Sequence, residues 1–218
     1  MDTRGSGARA WRLVAAVAAP LLLMAGTLLA EALQPPDFDP LDATLSDMAG
    51  LDATHREVMT GVIIGMGAWF AVSGWWLRVV GRAGRIMLGA AGATCLGIVV
   101  SPVSEDHVPI PHFVFAGVAF AALSLWPVAG MRRSADAPWP VRPAAAVTVT
   151  AVLCGLSAWF TVTVTRESGM GLPEHILAVI QVTWPSVVAI ASRARRPAAP
   201  PPDLADSRVY QPATGAAR

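Results

Sequence analysis

Long apolar runs alternate with short polar segments along most of the chain. Six of the runs continue for 17 to 24 residues without Asp, Glu, Lys or Arg. A helix needs about 20 apolar residues to cross the roughly 30 Å hydrocarbon core of a bilayer, whereas barrel strands would alternate polar and apolar residues. The pattern therefore predicts six transmembrane helices, at about 13–33, 58–77, 86–104, 110–131, 143–165 and 176–192.

The predicted fold is an all-α, polytopic membrane bundle that occupies residues 13–196. A short cytoplasmic segment, 1–12, precedes it, and the Pro- and Ala-rich segment 197–218 has the composition of a disordered cytoplasmic tail. A second interpretation concerns the first run, because Ala30-Glu31-Ala32 resembles a signal-peptide cleavage site. Cleavage would leave five spans, but the run is longer than a signal sequence usually carries, which favours a retained helix.

Composition supports the membrane assignment and excludes several other classes. The chain is 54% hydrophobic and 14% charged, with a mean hydropathy of +0.53, far from the values of soluble or disordered proteins. Two cysteines are too few for a disulfide-stapled module. A net charge of +1 and the lack of a dense basic run exclude a nucleic-acid partner.

Arginine placement predicts the orientation of the bundle. Lysine is absent, and 14 of the 16 arginines fall in the termini and in the segments on one side of the spans. The positive-inside rule then predicts that both termini are cytoplasmic. The membrane we expect is the plasma (inner) membrane. Eleven of the 15 carboxylates fall on the other side, so we expect an acidic outer face.

The first outer segment contains a predicted short amphipathic surface helix. Leu41, Leu45 and Met48 have helical spacing, and Asp39 followed by Pro40 suits an N-cap and a first turn. Asp42, Ser46 and Asp47 are the polar residues of this helix. They are either solvated at the membrane surface or form one wall of a binding site.

All four histidines lie on the predicted outer side, at positions 55, 107, 112 and 175. Imidazoles and carboxylates are the usual ligands of zinc and related divalent ions, so His112, His175 and Asp106 are candidate metal ligands. The alternative is that these side chains are ordinary hydrogen-bonded groups at helix starts, since no H-x-x-x-H or H-E-x-x-H pair occurs. If His112 is buried, it needs a polar partner, for which Asp106, Glu105, Ser46 and Glu174 are candidates.

Several short motifs on the outer side resemble those of the six-helix membrane proteins called domain of unknown function 998. They are Asp39-Pro40-Leu41, Ser46-Asp47-Met48, Ser101-Pro102, Glu105-Asp106 with His112, and Gly171-Leu172-Pro173-Glu174-His175. The resemblance covers about residues 12–196 and implies six spans with a retained first helix. It also singles out Ser46, Asp47, His112 and Glu174 as candidate ligand-binding residues, although the family has no assigned activity.

Three functional hypotheses follow from these observations. The first is a membrane protein of unassigned activity whose acidic, histidine-bearing outer rim binds a small-molecule ligand, a lipid head group or a metal. The second is a metal-dependent hydrolase that acts on lipid at the outer leaflet, which would use a divalent ion such as zinc as its cofactor. The third is a structural or partner-binding subunit. The lipid bilayer is the one partner that all three hypotheses require.

Overall fold

The computed structural model describes the backbone of residues 3–193 and the side chains of residues 14–193. Within this part the chain forms seven α-helices and a short 3₁₀ turn at Trp139–Val141, with no strand beyond the isolated Ser104–His107 bridge. The helices are α1 (Thr3–Ala32), α2 (Leu45–Met48), α3 (Arg56–Trp76), α4 (Arg82–Val100), α5 (Ile110–Ala129), α6 (Pro143–Arg166) and α7 (Gly171–Ala191).

All helices except α2 are long and apolar enough to cross a membrane, which confirms the predicted six-span, all-α fold. The observed ends differ from the apolar runs. Helix α7 begins at Gly171 rather than near residue 176, because Glu174 and His175 belong to its first turns. Acidic side chains are favourable at a helix start, so a charged residue does not mark the helix boundary. The predicted tail 197–218 lies outside the described residues.

The six long helices form a closed ring in chain order. Helix α1 packs against α3, α3 against α4, α4 against α5, α5 against α6 and α6 against α7, while α1 and α7 complete the circle. Short connections explain this arrangement, since consecutive antiparallel helices pack side by side. Helices α3 and α7 also contact each other, which places them closest to the centre of the bundle.

Burial differs strongly around this ring. In the most apolar 18-residue stretch of each helix, half of the residues are buried in α3 and in α7, but only 11% in α6. The interior is filled by large apolar side chains such as Phe70, Leu88, Trp126 and Leu177, none of which is more than 2% exposed. The outward surfaces are apolar as well, with residues such as Val152 and Trp159 exposed on α6. This distribution suits a bundle that is surrounded by hydrocarbon.

The backbones of α3 and α4 pack closely against each other. A Cβ atom at Gly92 would lie 2.6 Å from the backbone oxygen of Gly67 and 2.7 Å from the backbone nitrogen of Ala71. Only glycine permits such close contact between two helix backbones, and small residues serve this purpose in membrane proteins. The chain is therefore an integral membrane protein with a closely packed centre.

The two ends of the bundle differ in chemistry. We call one end the acidic face, which consists of segments 33–55, 101–109 and 167–170. The other end, the basic face, consists of segments 77–81 and 130–142 together with Arg193. All described carboxylates except Asp136 lie on or beside the acidic face. Seven of the nine described arginine side chains lie on or beside the basic face.

Candidate functional site

Segment 33–55 is the main structure on the acidic face and forms a closed loop. The side-chain amide of Gln34 donates to the backbone oxygen of Thr54 at 2.8 Å and accepts from the backbone nitrogen of Thr54 at 3.2 Å. The segment is also tied to its neighbour, since Leu51 N donates to Val103 O at 2.8 Å. These bonds hold the segment over the ends of the long helices.

Helix α2 is a single turn whose cap differs from the sequence prediction. Thr44, not Asp39, is the N-cap: its hydroxyl accepts from Asp47 N at 3.1 Å, and the Asp47 carboxylate accepts from Thr44 N at 2.7 Å. Asp39 instead accepts from Leu41 N in a turn. The reciprocal pair satisfies two backbone N–H groups at once, whereas an Asp39 cap would satisfy one. The apolar side chains of the turn, Leu45 and Met48, are buried in the bundle core.

Glu174 joins the start of α7 to α2. Its side chain is 4% exposed, and Oε2 accepts a hydrogen bond from Leu45 N at 2.7 Å. A buried carboxylate without a hydrogen-bond partner is unfavourable, so the N–H group of α2 helps to stabilise the buried side chain of Glu174. The contact links two residues that are 129 positions apart in the chain.

Backbone hydrogen bonds reinforce the same junction. Gly171 N donates to Asp42 O and Leu172 N donates to Leu41 O, both at 3.1 Å. A Cβ atom at Gly171 would lie 2.3 Å from Ala43 O and 2.4 Å from Pro40 O. Only a glycine at position 171 allows α7 to approach segment 33–55 this closely.

His112 is buried in the first turn of α5, and its partner is not among the four predicted side chains. Its side chain is 5% exposed, and Nδ1 lies 2.8 Å from the backbone oxygen of Ser101, the C-cap residue of α4. Because a carbonyl oxygen can only accept, Nδ1 must carry the hydrogen, and in the neutral ring Nε2 is then an acceptor. The orphan carbonyl at the end of α4 explains this pairing.

Ser46 and His112 line one small cavity, although they lie on different helices. Its volume is about 10 Å³, and Thr60 is its third polar residue, which leaves room for about one water molecule. The remaining walls are mainly apolar and come from α2, α3, α4 and the segment after α4, at Ala49, Ile63, Ile98, Val99 and Pro102. The cavity thus combines two hydroxyl groups and an imidazole in apolar surroundings.

The predicted metal ligands are not brought together. His175 Nδ1 lies 3.8 Å from Glu31 Oε1, His112 bonds to Ser101, and Asp106 is exposed in the turn between Ser104 and His107. Among residues 14–193, no group of three or more His, Cys, Asp or Glu side chains is placed to hold a metal ion. The arrangement of these residues therefore gives no support to a metal centre.

With this geometry established, comparison with known proteins identifies the family. The sequence model of the family described as protein of unknown function, DUF998, matches residues 16–191, which is most of the chain. The chain belongs to the DUF998 family. Comparisons with curated proteins and with solved structures give no match. The family membership agrees with the resemblance seen in the motifs and leaves the activity open.

In this DUF998 protein the four candidate ligand-binding residues all lie around α2. Ser46 and Asp47 belong to α2, Glu174 bonds to its backbone, and His112 shares a cavity with Ser46. Asp47 and Glu174 are bonded to backbone N–H groups, whereas Ser46 and His112 line the small cavity. Sequence reasoning missed Thr60, the third polar residue of the cavity, because a lone Thr in an apolar run carries no signal.

Proposed function

We propose that this integral membrane protein binds a small polar group, carried by a lipid head group or by a free small molecule, at the Ser46–His112 cavity on the acidic face. The observation that carries the proposal is that Ser46 and His112, which lie in different elements, line the same cavity. The supporting chemistry is a hydroxyl group beside an imidazole whose Nε2 is an acceptor.

The charges around the cavity limit which ligands can bind there. Eleven of the described carboxylates lie in the acidic-face segments or in the adjoining helix turns of α1, α3 and α7, and they would repel an anion. A neutral or cationic polar group with at least one donor fits this environment and the acceptor at His112. A lipid ammonium group or an uncharged alcohol has this chemistry.

The size of the cavity sets a condition for binding. A volume of about 10 Å³ holds one water molecule and no larger group. A larger ligand must therefore displace the water, and α2 must move away from α3 and α5 to make room for it. Segment 33–55 is the element that would move, since it contributes Ser46 and Ala49 to the cavity wall.

The proposal is tested by native mass spectrometry of the full chain, released from its membrane in mild detergent. We expect a lipid or small-molecule adduct on the wild-type protein, with about tenfold lower occupancy in Ser46→Ala and in His112→Asn, because a lost hydrogen bond to a buried polar group is worth about 1.4 kcal/mol. Asparagine retains a donor near the position of Nδ1, so the bond to Ser101 can persist.

Matched controls are Ser168→Ala and His107→Asn, which change exposed residues of the same face outside the cavity. They should retain the wild-type adduct. Equal occupancy in Ser46→Ala, His112→Asn and the controls, with unchanged melting temperatures, would contradict the proposal. A zinc-sized adduct that disappears in His112→Asn would favour the metal-dependent hydrolase instead, and no adduct on any form would favour a structural or partner-binding subunit.

A further inference from the structure

Three arginines of the basic face are bonded to backbone oxygens. Arg85 donates to Gly74 O at 2.9 Å and to Trp75 O at 2.8 Å, and Arg142 donates to Ala137 O at 3.0 Å and to Ala135 O at 2.8 Å. Arg132 donates to Val80 O at 3.5 Å. These guanidinium groups satisfy carbonyls at helix ends and in connecting segments, which accounts for their presence.

Two other arginines line a cavity that these bonds do not explain. The cavity lies where α3 and α7 end, has a volume of about 340 Å³, and is open at the surface. Arg78 comes from the segment after α3 and Arg193 from the residue pair after α7, and Trp75 and Trp76 lie beside them. No carboxylate among the described residues lines it.

The guanidinium groups of Arg78 and Arg193 lack partners within the described part of the chain. No side-chain hydrogen bond or ion pair joins either of them to another described residue, and Nη2 of Arg193 is buried without a partner. A buried N–H group of a cation is unfavourable unless an acceptor reaches it. Arg78 and Arg193 thus keep guanidinium N–H donors that no described residue occupies.

We propose that this cavity binds the phosphate group of an anionic phospholipid from the adjacent leaflet. Arginine side chains present several N–H donors in a planar fork that matches the oxygens of a phosphate, and two of them line this cavity. The volume of about 340 Å³ is ample for a phosphate and the glycerol next to it. The neighbouring indoles suit the boundary between head groups and acyl chains.

The position of the cavity favours a lipid over free phosphate. It lies at the ends of two membrane-spanning helices, where head groups of the bilayer are found. Trp75 is 74% exposed beside it, so a broad apolar ring is available to the acyl chains of a lipid. Free phosphate would bind to the two guanidinium groups but would make no apolar contact with the exposed ring of Trp75.

The test measures phospholipid binding to the full-length protein by native mass spectrometry in detergent, with added phosphatidylglycerol, phosphatidylcholine or inorganic phosphate. We expect wild-type protein to prefer phosphatidylglycerol over phosphatidylcholine by about tenfold. The double variant Arg78→Gln/Arg193→Gln should lose this preference. The matched variant Arg82→Gln/Arg133→Gln removes the same charge from exposed positions of the same face and should change binding by less than about twofold.

Melting temperatures of both double variants establish that they are folded. The proposal is overturned if both double variants lose the preference equally, because general attraction to the basic face would then explain it. It is also overturned if inorganic phosphate competes as well as phosphatidylglycerol, or if the wild-type protein binds no lipid and the Asp203→Asn/Asp206→Asn variant does. The last result would mean that carboxylates of the chain itself occupy the cavity.

Discussion

The two faces of the bundle satisfy their backbone groups with side chains of opposite charge. On the acidic face, carboxylates accept from backbone N–H groups, as Glu174 does from Leu45 and Asp52 does from Glu105. On the basic face, guanidinium groups donate to backbone oxygens, as Arg85 does to Gly74. The same charges that predict orientation in the membrane therefore also complete the hydrogen bonding of the segments between helices.

Helix dipoles do not explain this division. Each face receives three helix starts and three helix ends, because the spans run alternately up and down. Both faces therefore offer unpaired N–H groups and unpaired carbonyls. Charged side chains account for part of the difference: carboxylates accept from N–H groups on the acidic face and guanidinium groups donate to carbonyls on the basic face. On the acidic face, His112 also donates to the carbonyl of Ser101.

The faces also differ in how completely they are closed. Carboxylates and backbone bonds lock segment 33–55 onto the start of α7, and the cavity they leave is about 10 Å³. The basic face retains an open cavity of about 340 Å³ with two guanidinium groups that lack described partners. We infer that substitutions at the junction of α7 with segment 33–55 mainly change stability, whereas Arg78 and Arg193 mainly affect binding.

The largest expected effect comes from Gly171→Ala. The added Cβ would lie within 2.4 Å of two backbone oxygens, so α7 or segment 33–55 must shift and the bonds from residues 171 and 172 must lengthen. We expect the free energy of unfolding to fall by about 3 kcal/mol. Thermal or denaturant unfolding in detergent, followed by circular dichroism, measures this change.

The control for Gly171→Ala is Gly155→Ala in α6, where no atom lies within 4 Å of the added Cβ. Alanine favours the helix there, so stability should stay constant or rise by about 0.5–1 kcal/mol. Similar losses of stability in the two variants would contradict a steric constraint at position 171 between α7 and segment 33–55.

The six spans could be predicted from the sequence because the length of an apolar run is a local property. The reciprocal Thr44–Asp47 cap is local as well, but Asp39-Pro40 is a second possible start for the helix in the same segment. In the structure Asp39 accepts from Leu41 N in a turn instead. Choosing between them requires the position of α7, since Leu45 N is bonded to Glu174. The boundary of α2 is thus decided by tertiary contact rather than by local pattern.

The sequence places the candidate residues on one face but does not give their arrangement. Charge type and motif place Ser46, Asp47, His112 and Glu174 on one face, where they surround α2. Their partners could not be inferred, because the acceptor for His112 is the backbone oxygen of Ser101 and the donor to Glu174 is a backbone N–H group. Backbone groups are the same at every position, so a sequence gives no sign of which one a distant side chain reaches.

A smaller effect is expected from Glu174→Leu, which removes the buried acceptor of Leu45 N. An unpaired buried N–H group costs about 1–3 kcal/mol, so we expect a loss near 2 kcal/mol. Glu174→Gln keeps an oxygen acceptor and should recover more than half of this loss. Unfolding in detergent measures the stabilities, and hydrogen exchange at Leu45 reports the bond itself.

The matched control for Glu174→Leu is Glu105→Leu, which changes an exposed carboxylate of the same face. Its expected effect is within about 0.5 kcal/mol. Faster exchange at Leu45 should occur in Glu174→Leu alone. If Glu174→Gln were as unstable as Glu174→Leu, the charge of the carboxylate rather than its hydrogen bond would hold the junction together.

The smallest expected effect separates the cap of α2 from the junction with α7. Thr44→Ala removes the hydroxyl that accepts from Asp47 N and donates to Asp47 Oδ2, and loss of an N-cap side chain costs about 1 kcal/mol. Thr44→Ser should retain most of the stability.

Thr165→Ala is the control, because its hydroxyl is exposed and bonds only within α6 to Val162 O. A loss at Thr44 no larger than at Thr165, measured by unfolding in detergent, would mean that Glu174 and Gly171 hold segment 33–55 in place without help from its own cap. The acidic face would then depend on contacts between distant segments alone.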